Sequence, residues 1–294
     1  MTSDTFSSSR LDGKVAVVTG AAQGIGEATA RLFAERGIKG LLLTDRNAEK
    51  GQAVARSLGK IAKFVRADLQ KLKDVQKIIP AADKAFGRVD ILCNIAALTE
   101  RGTILETTPE LYDLMLAVNL RAPFFLMQDA IRSMIEHKIE GSIVNIASVN
   151  SHAGAPFLAA YSASKAGVAV LTKNTANAVL RNRIRVNALL PGWVDTPGEH
   201  DIQKRAHNAP KDWLKKVEKG KPFGRLIKVD EMARAIAFLA SAESGLMTGA
   251  LTQTPLDRLC GPAKLELGEA AGCVGRMLGV EVASVARVRQ RQAR

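Results

Sequence analysis

The sequence predicts an α/β fold: a single-domain, doubly wound parallel sheet of about seven strands with helices on both faces. Three observations predict it. Short apolar runs alternate with stretches of helical composition from residue 11 to residue 254, the pattern of repeated βαβ units. The first run, residues 14–19, is apolar without alternation from Val15 to Val18, which marks a strand covered on both faces. The glycines and polar residues that stand out fall just after such runs, at one edge of the sheet, where doubly wound folds bind ligands. Among the 294 residues no linker composition divides the chain, so one domain over 11–254 is expected. A polar, Ser/Thr-rich stretch at 1–10 is expected as a loose N-terminal tail, and an Ala/Gly/Arg-rich tail without aromatics occupies 255–294.

Composition narrows the function classes. Hydrophobic residues make up 47%, yet no uninterrupted apolar run approaches the roughly 18 residues that cross a bilayer, so no membrane partner is expected. The first ten residues lack the apolar core of a secretory signal, and a cytoplasmic location is the expectation. Cys93, Cys260 and Cys273 form no CxxC and leave an odd count, against a disulfide framework and against a zinc site; no metal is expected. The net charge of +13 invites a nucleic-acid reading, but about half of it sits in 201–221 (+4) and 255–294 (+3), and neither segment interleaves stacking aromatics. No nucleic-acid partner is expected; a solvated surface or an anionic cofactor suits the charge better.

The elements follow in order. The first strand ends in Gly20-Ala21-Ala22-Gln23-Gly24-Ile25-Gly26, and 27–36 has helical composition. In this strand–turn–helix context Gly20 permits the tight turn, Gly24 lets backbone approach a diphosphate, and Gly26 lets the helix pack on the strand, so a dinucleotide site is expected. Residues 40–44 form a second strand ending at Asp45, where a carboxylate accepts from ribose hydroxyls and repels a 2′-phosphate. That selects NAD over NADP, although Arg46 next door is of the type that welcomes a phosphate. A third strand at 61–66 ends near Asp68 and Leu69, at the expected adenine edge; Asp68 also suits a plain helix N-cap. Residues 89–93 form a fourth strand, closing on Asn94-Ile95-Ala96-Ala97, whose small side chains leave room for a ribose. Residues 109–137 read as one long helical region, bent at Pro123, with Asn119 inside it needing hydrogen-bond partners. A fifth strand, 142–147, delivers Ser148, and a sixth, 183–189, runs into Leu190-Pro191-Gly192-Trp193-Val194-Asp195-Thr196. The polar, Lys-rich segment 198–224, with Trp213 and Phe223 as anchors, suits a mobile lid; a helix at 229–240 and a last strand at 250–254 close the domain.

Between the fifth and sixth strands lies Tyr161-Ser162-Ala163-Ser164-Lys165. On a helix this spacing stacks phenol and ammonium one turn apart. A nearby cation stabilises a phenolate and lowers the phenol below its usual value near pH 10, toward the range where it exchanges a proton with an alcohol. The pair also occurs on ordinary solvated helices, so its weight comes from its neighbours.

Taken together, the glycine turn with Thr19, then Asn119, Ser148, Tyr161-Ser162-Ala163-Ser164-Lys165 and Pro191-Gly192 resemble the short-chain dehydrogenase/reductase family across about residues 11–250. The resemblance implies that Tyr161 is the catalytic acid/base, that Lys165 holds the nicotinamide ribose and lowers the phenol's pKa, that Ser148 hydrogen-bonds the reacting oxygen, and that Asn119 positions a relay water. It implies that Pro191, Gly192, Val194 and Thr196 line the nicotinamide, and that the chain is a homodimer or homotetramer. Two features depart from the family pattern: Asn94-Ile95-Ala96-Ala97 stands where Asn-Asn-Ala-Gly is usual, and the Arg-rich residues 251–294 resemble no usual ending, as a shifted reading frame or an extension would.

The function expected is an NAD-dependent dehydrogenase of a polar secondary alcohol, a sugar or polyol. Ser148, Asn150, His152, Tyr161 and Trp193 are the expected substrate contacts, with Glu199 and His200 adding polarity at the mouth; each of the rim residues also suits plain solvation. A 3-oxoacyl thioester or steroid reductase of the same fold is the alternative. A non-catalytic dinucleotide sensor or nucleic-acid-binding protein is the alternative from another class, and the intact Ser148, Tyr161 and Lys165 set speaks against it.

Overall fold

The computed structural model describes residues 9–254. The expectations for residues 1–8 and 255–294, including Cys260 and Cys273, lie outside the described residues. The described residues form nine strands and ten α-helices: β1 (Val15–Thr19), α1 (Gly24–Glu35), β2 (Gly40–Asp45), α2 (Ala48–Ser57), β3 (Ala62–Arg66), α3 (Leu72–Val75), α4 (Ile78–Phe86), β4 (Ile91–Asn94), α5 (Pro109–Leu116), α6 (Ala122–Glu136), β5 (Ser142–Ile146), α7 (Ala159–Ala178), β6 (Arg185–Leu190), β7 (Val194–Asp195), α8 (Pro197–His207), α9 (Trp213–Glu218), β8 (Ile227–Lys228), α10 (Val229–Ala240) and β9 (Leu251–Gln253). Seven strands form one parallel sheet in the order β3-β2-β1-β4-β5-β6-β9, as the sequence predicts. The order reverses between β1 and β4, and the carboxyl ends of those strands therefore flank the crevice of a doubly wound sheet. β7 and β8 pair separately.

Continuous apolar strands are the right material for this position. Along β2, Leu41 and Leu43 join the core on one face of the sheet with Phe33 of α1 and Ile236 of α10, while Leu42 joins the other with Leu126 and Met127 of α6. Ile91, Leu92 and Cys93 of β4 divide in the same way. Each such side chain taken fully from water is worth about 1.5–3 kcal/mol, so the sheet is a rigid platform and its carboxyl edge a fixed row.

Three expectations are corrected. Ser9, within the stretch expected to be loose, is buried, and its hydroxyl donates to Glu243 at 2.6 Å. The long helical region is not simply bent at Pro123: α5 and α6 are joined by a π-helical turn over Ala117–Arg121. Pro123 has no N–H for the carbonyl four residues back, that of Asn119, and its ring crowds that carbonyl, so the turn widens at Asn119. The same stretch, Pro109–Glu136, is also long and apolar enough by length and composition to cross a bilayer, which no uninterrupted run in the sequence suggested. Here its Met115, Leu126, Met127, Ala130 and Met134 are buried in the domain.

Candidate active site

The glycine turn after β1 has a steric reason at two positions. A methyl on Gly26 would lie 2.1 Å from the carbonyl oxygen of Gly20, so only glycine lets α1 start this close to the strand. Gly20 has φ +69°, and a methyl there would also stand 2.9 Å from Cα of Ala96. The turn and the segment after β4 therefore touch through backbone alone. Gln23, at the N-cap of α1, makes no side-chain capping bond; its Oε1 accepts from Lys50 Nζ at 3.1 Å instead. The first N–H groups of α1 are left for an anion, which is what a diphosphate requires, with Ile25 partly exposed in the first turn. The residues present fit a dinucleotide.

Asp45 is held at the end of β2 by two backbone donors, Ala22 N–H to Oδ2 at 3.2 Å and Asn47 N–H to Oδ1 at 2.9 Å. Arg46 beside it is exposed. Asp68 is not the N-cap of α3; its Oδ1 accepts from Gln70 N–H at 3.1 Å in a local turn, while Leu69 is buried behind it.

Asn94 and Asn119, assigned in sequence to the cofactor and to a relay, also bond to the frame, and the buried Asn94 oxygen has no hydrogen-bond partner among the described residues. The Asn94 amide donates to Asn145 Oδ1 at 2.8 Å, inside the protein. Asn145 in turn donates to Thr172 Oγ1 of α7 at 2.9 Å, so a buried polar ladder ties β4 to β5 and α7. Asn119 grips the backbone of Leu98 from both sides, accepting its N–H at 2.8 Å and donating to its carbonyl at 2.9 Å, and donates to Ser164 Oγ at 3.1 Å. Ser164 then donates to the carbonyl of Tyr161 at 2.7 Å. The widened π turn thus sets the loop after β4 against the helix of Tyr161.

Ser148 at the end of β5 and Tyr161 and Lys165 on α7 come together as the spacing predicts. Ser148 is buried, and its Oγ accepts the N–H of Asn150 at 3.2 Å. Lys165 is buried at 2% exposure; its Nζ donates to the carbonyl of Ile146 at 2.6 Å and lies 5.9 Å from the centre of the Tyr161 ring. The acidic phenol is expected beside both a cation and a positively charged cofactor ring; in the ligand-free site burial works against it. Burial raises the Tyr161 pKa above its ordinary value; the Ser148 hydroxyl opposes this, the Glu199 carboxylate adds to it, and Arg101 opposes it. Burial also lowers Lys165, to about 7. Desolvation disfavours the charged form of each group, so the buried ammonium cannot be counted on to outweigh it.

Toward the substrate side, Pro191 is buried and its carbonyl accepts from Val149 N–H at 3.0 Å, while Gly192 N–H donates to Thr254 Oγ1 at 2.8 Å. Val194 is buried, and Thr196 caps α8, its Oγ1 accepting from Glu199 N–H at 3.1 Å. A methyl on Gly24 would stand 3.7 Å from Cβ of Thr196, so the starts of α1 and α8 face each other. Within 198–224, Trp213 is an anchor as expected, buried and stacked on Trp193 with ring centres 6.0 Å apart. Phe223 is not; it is 72% exposed. Asn150 is partly buried and His152 lies exposed at the rim, the solvated reading.

Several contacts of the site go beyond the sequence expectations. Thr19 Oγ1 accepts from both Ile95 and Ala96 N–H, at 2.9 and 3.0 Å, and locks the turn after β4. Asn145, an amide in the middle of an apolar strand, was a readable sign of a buried network. Arg101 and Gln203 gave none, because their partners lie about a hundred residues away or across a turn of helix.

A family model described as enoyl-(acyl carrier protein) reductase matches residues 20–254. The chain is 36% identical over 241 residues to galactitol 2-dehydrogenase of Agrobacterium fabrum, covering 80% of this chain and 93% of that protein. It is 35% identical over 243 residues to the 3-oxoacyl-(acyl-carrier-protein) reductase FabG of Thermotoga maritima, covering 82% and 95%. A solved structure described as a short chain dehydrogenase/reductase family protein is similar with a TM-score of 0.73 and 31% identity, covering 83% of this chain and 97% of that one.

Proposed function

The chain belongs to the short-chain dehydrogenase/reductase family, and from that premise we propose that it is an NAD-dependent dehydrogenase interconverting a secondary alcohol of a sugar or polyol with its carbonyl. The observation that carries the reading is the meeting of Ser148, Tyr161 and Lys165 at the carboxyl edge of the sheet, beside a wall of polar rather than apolar groups. The nicotinamide accepts or returns a hydride when bound. Gly20, Gly24, Ile25 and Gly26 would hold its diphosphate, Asp45 its adenosine ribose, and Ala96, Pro191, Gly192, Val194 and Thr196 its nicotinamide half. Tyr161 would take the alcohol proton at its oxygen as the phenolate, a form that a protonated Lys165 and the positively charged nicotinamide favour against burial. In the reverse direction it would return that proton to the carbonyl oxygen as the phenol; Ser148 Oγ holds the substrate oxygen in line. Lys165, held by Ile146, reaches the ribose and supplies a cation when protonated. Asn119 fixes Ser164 and so the start of the turn that carries Tyr161.

Asp45 supports NAD, since a carboxylate at the end of the second strand accepts from ribose hydroxyls and repels a 2′-phosphate. Assembly as a dimer or tetramer is part of the proposal and is supported by Tyr112, Phe124 and Val170, large apolar side chains exposed on α5, α6 and α7. Reduction of a 3-oxoacyl thioester is the second reading, favoured by the similarity to FabG. A panel of polyols, aldoses and acetoacetyl thioesters with NAD(H) and NADP(H), followed at the nicotinamide absorbance, separates the two. With the best substrate, Tyr161→Phe should lower kcat by about 10²–10⁴, the usual worth of a general acid/base; a variant turning over within tenfold of wild type would sink the mechanism.

A further inference from the structure

Two opposite charges are held nearly out of water beside Tyr161. Arg101, in the loop after β4, and Glu199, in the first turn of α8, pair at 3.0 Å with side chains only 15% and 12% exposed. Both charges act on the phenol. The hydrogen bonds to the carboxylate are lopsided. Its Oε1 accepts from Arg101 Nη2 at 3.0 Å, Trp193 Nε1 at 3.0 Å and Gln203 Nε2 at 2.7 Å. Its Oε2 takes no hydrogen bond among the described residues. Oε2 keeps contact with solvent, so a ligand hydroxyl can reach it, and a ligand that displaces that water must bring a donor in its place.

The mount is rigid. Arg101 also donates to the carbonyl of Thr99 at 3.0 Å and to His207 Nε2 at 3.1 Å, and its guanidinium lies 5.5 Å from the centre of the Phe157 ring. Glu100 alongside takes both guanidinium nitrogens of Arg205, at 2.8 and 3.0 Å. The loop after β4 is thereby laced to α8. The backbone of Gly102 is paired with the segment leading into Tyr161, Gly102 N–H to the Phe157 carbonyl at 2.9 Å and Ala159 N–H to the Gly102 carbonyl at 3.1 Å.

We propose that Glu199 is a specificity-determining residue whose Oε2 accepts a hydrogen bond from a second hydroxyl of a polyol substrate, with Arg101 as the positioning residue that neutralises and aims it. This deepens the polyol reading and rests on it. Arg101 balances the carboxylate, so the pair presents no net charge to attract a cation, and the unfilled group is an acceptor, which a hydroxyl satisfies. An acyl chain or a steroid nucleus would cover Oε2 without giving it a donor.

The test is the ratio of kcat/KM for galactitol or sorbitol to that for cyclohexanol, which has one hydroxyl, measured with NAD for wild type, Glu199→Gln and Arg101→Lys. Wild type should favour the polyol, and Glu199→Gln should reduce that preference about tenfold to a hundredfold, the worth of a hydrogen bond to a charged group. Arg101→Lys, which keeps the charge and loses the planar fork, should reduce it in the same direction and stands in if Glu199→Gln fails to fold. A general loosening of the site lowers both rates and leaves the ratio alone. A wild-type preference that survives both changes within twofold overturns this inference and leaves the polyol reading standing. A wild type with no polyol preference overturns both.

Discussion

Two helices open on the site, and they begin in opposite ways. α1 starts on glycines with an N-cap, Gln23, whose side chain caps nothing, so its N–H groups stay free. α8 starts on Thr196 and Pro197: the threonine hydroxyl takes the N–H of Glu199, and proline has none to offer. The first helix keeps its donors for an anion, and the second uses its start to present the side chain of Glu199. The nucleotide side is therefore made of bare backbone at van der Waals distance, and the substrate side of charged side chains reaching between distant segments. The first depends on residues that can be nothing else; the second depends on partners.

The same substitution at the two helix starts should break or keep the molecule. Gly26→Ala drives a methyl into backbone atoms that cannot yield, 2.1 Å from Gly20 O and 2.6 Å from Gly20 C. A loss of about 4 kcal/mol or more is expected, read as a fall of roughly 8–16 °C in Tm together with loss of NADH binding. An NADH-binding variant with a wild-type melt would refute the close-packing account.

Asp45→Ala tests how far the nucleotide side relies on a side chain at all. It removes the ribose acceptor and the repulsion of a 2′-phosphate, so the NAD-to-NADP ratio of kcat/KM should fall by about tenfold or more. An unchanged ratio would mean that backbone alone holds the adenosine.

Lys165, on the floor between the two sides, should show its burial as a pH dependence of stability. Its folded pKa of about 7 lies below the ordinary lysine value of 10.5, so between these values the unfolded chain binds more protons than the folded one. Stability from this group therefore rises from about pH 7 to pH 10.5, and the penalty of the buried ammonium is fully present below pH 7. Lys165→Met should remove that rise: plotted from pH 6.5 to 10, the difference in Tm between wild type and variant should change by several degrees in favour of wild type. Parallel curves would show that the ammonium is not desolvated.

The smallest effect is expected at the start of α8. A methyl on Gly198 meets nothing closer than 3.7 Å, the amide nitrogen of Gln23, so Gly198→Ala should be neutral or stabilise by about 0.5–1 kcal/mol. A destabilisation approaching that of Gly26→Ala would erase the contrast.

What could be read in advance follows the same division. The strands, the sheet class, the glycine turn, and the alignment of Ser148, Tyr161 and Lys165 were legible, because each rests on spacing within a few residues or on runs that must be covered on both faces. The side-chain partners of Asn94 and Asn119 were not legible, since an amide in an apolar element announces only that it needs them: Asn119 found its own in Leu98 and Ser164, while Asn94 gives its nitrogen to Asn145 and leaves its buried oxygen without a partner among the described residues. Phe223 looked like an anchor by type and is exposed, whereas Trp213 found the Trp193 ring to stack on.

The chain's own pattern determined that a parallel sheet would form and that a glycine turn would stand at its edge, because backbone sterics and burial periodicity act locally. Only the tertiary structure decided how burial acts on the ionisable groups of the site and the pairing of Arg101 with Glu199. Desolvation and ion pairing depend on which segments arrive together: the phenol expected to be acidic is raised, and the lysine expected to lower it is itself lowered to about 7, because both are buried in the same floor.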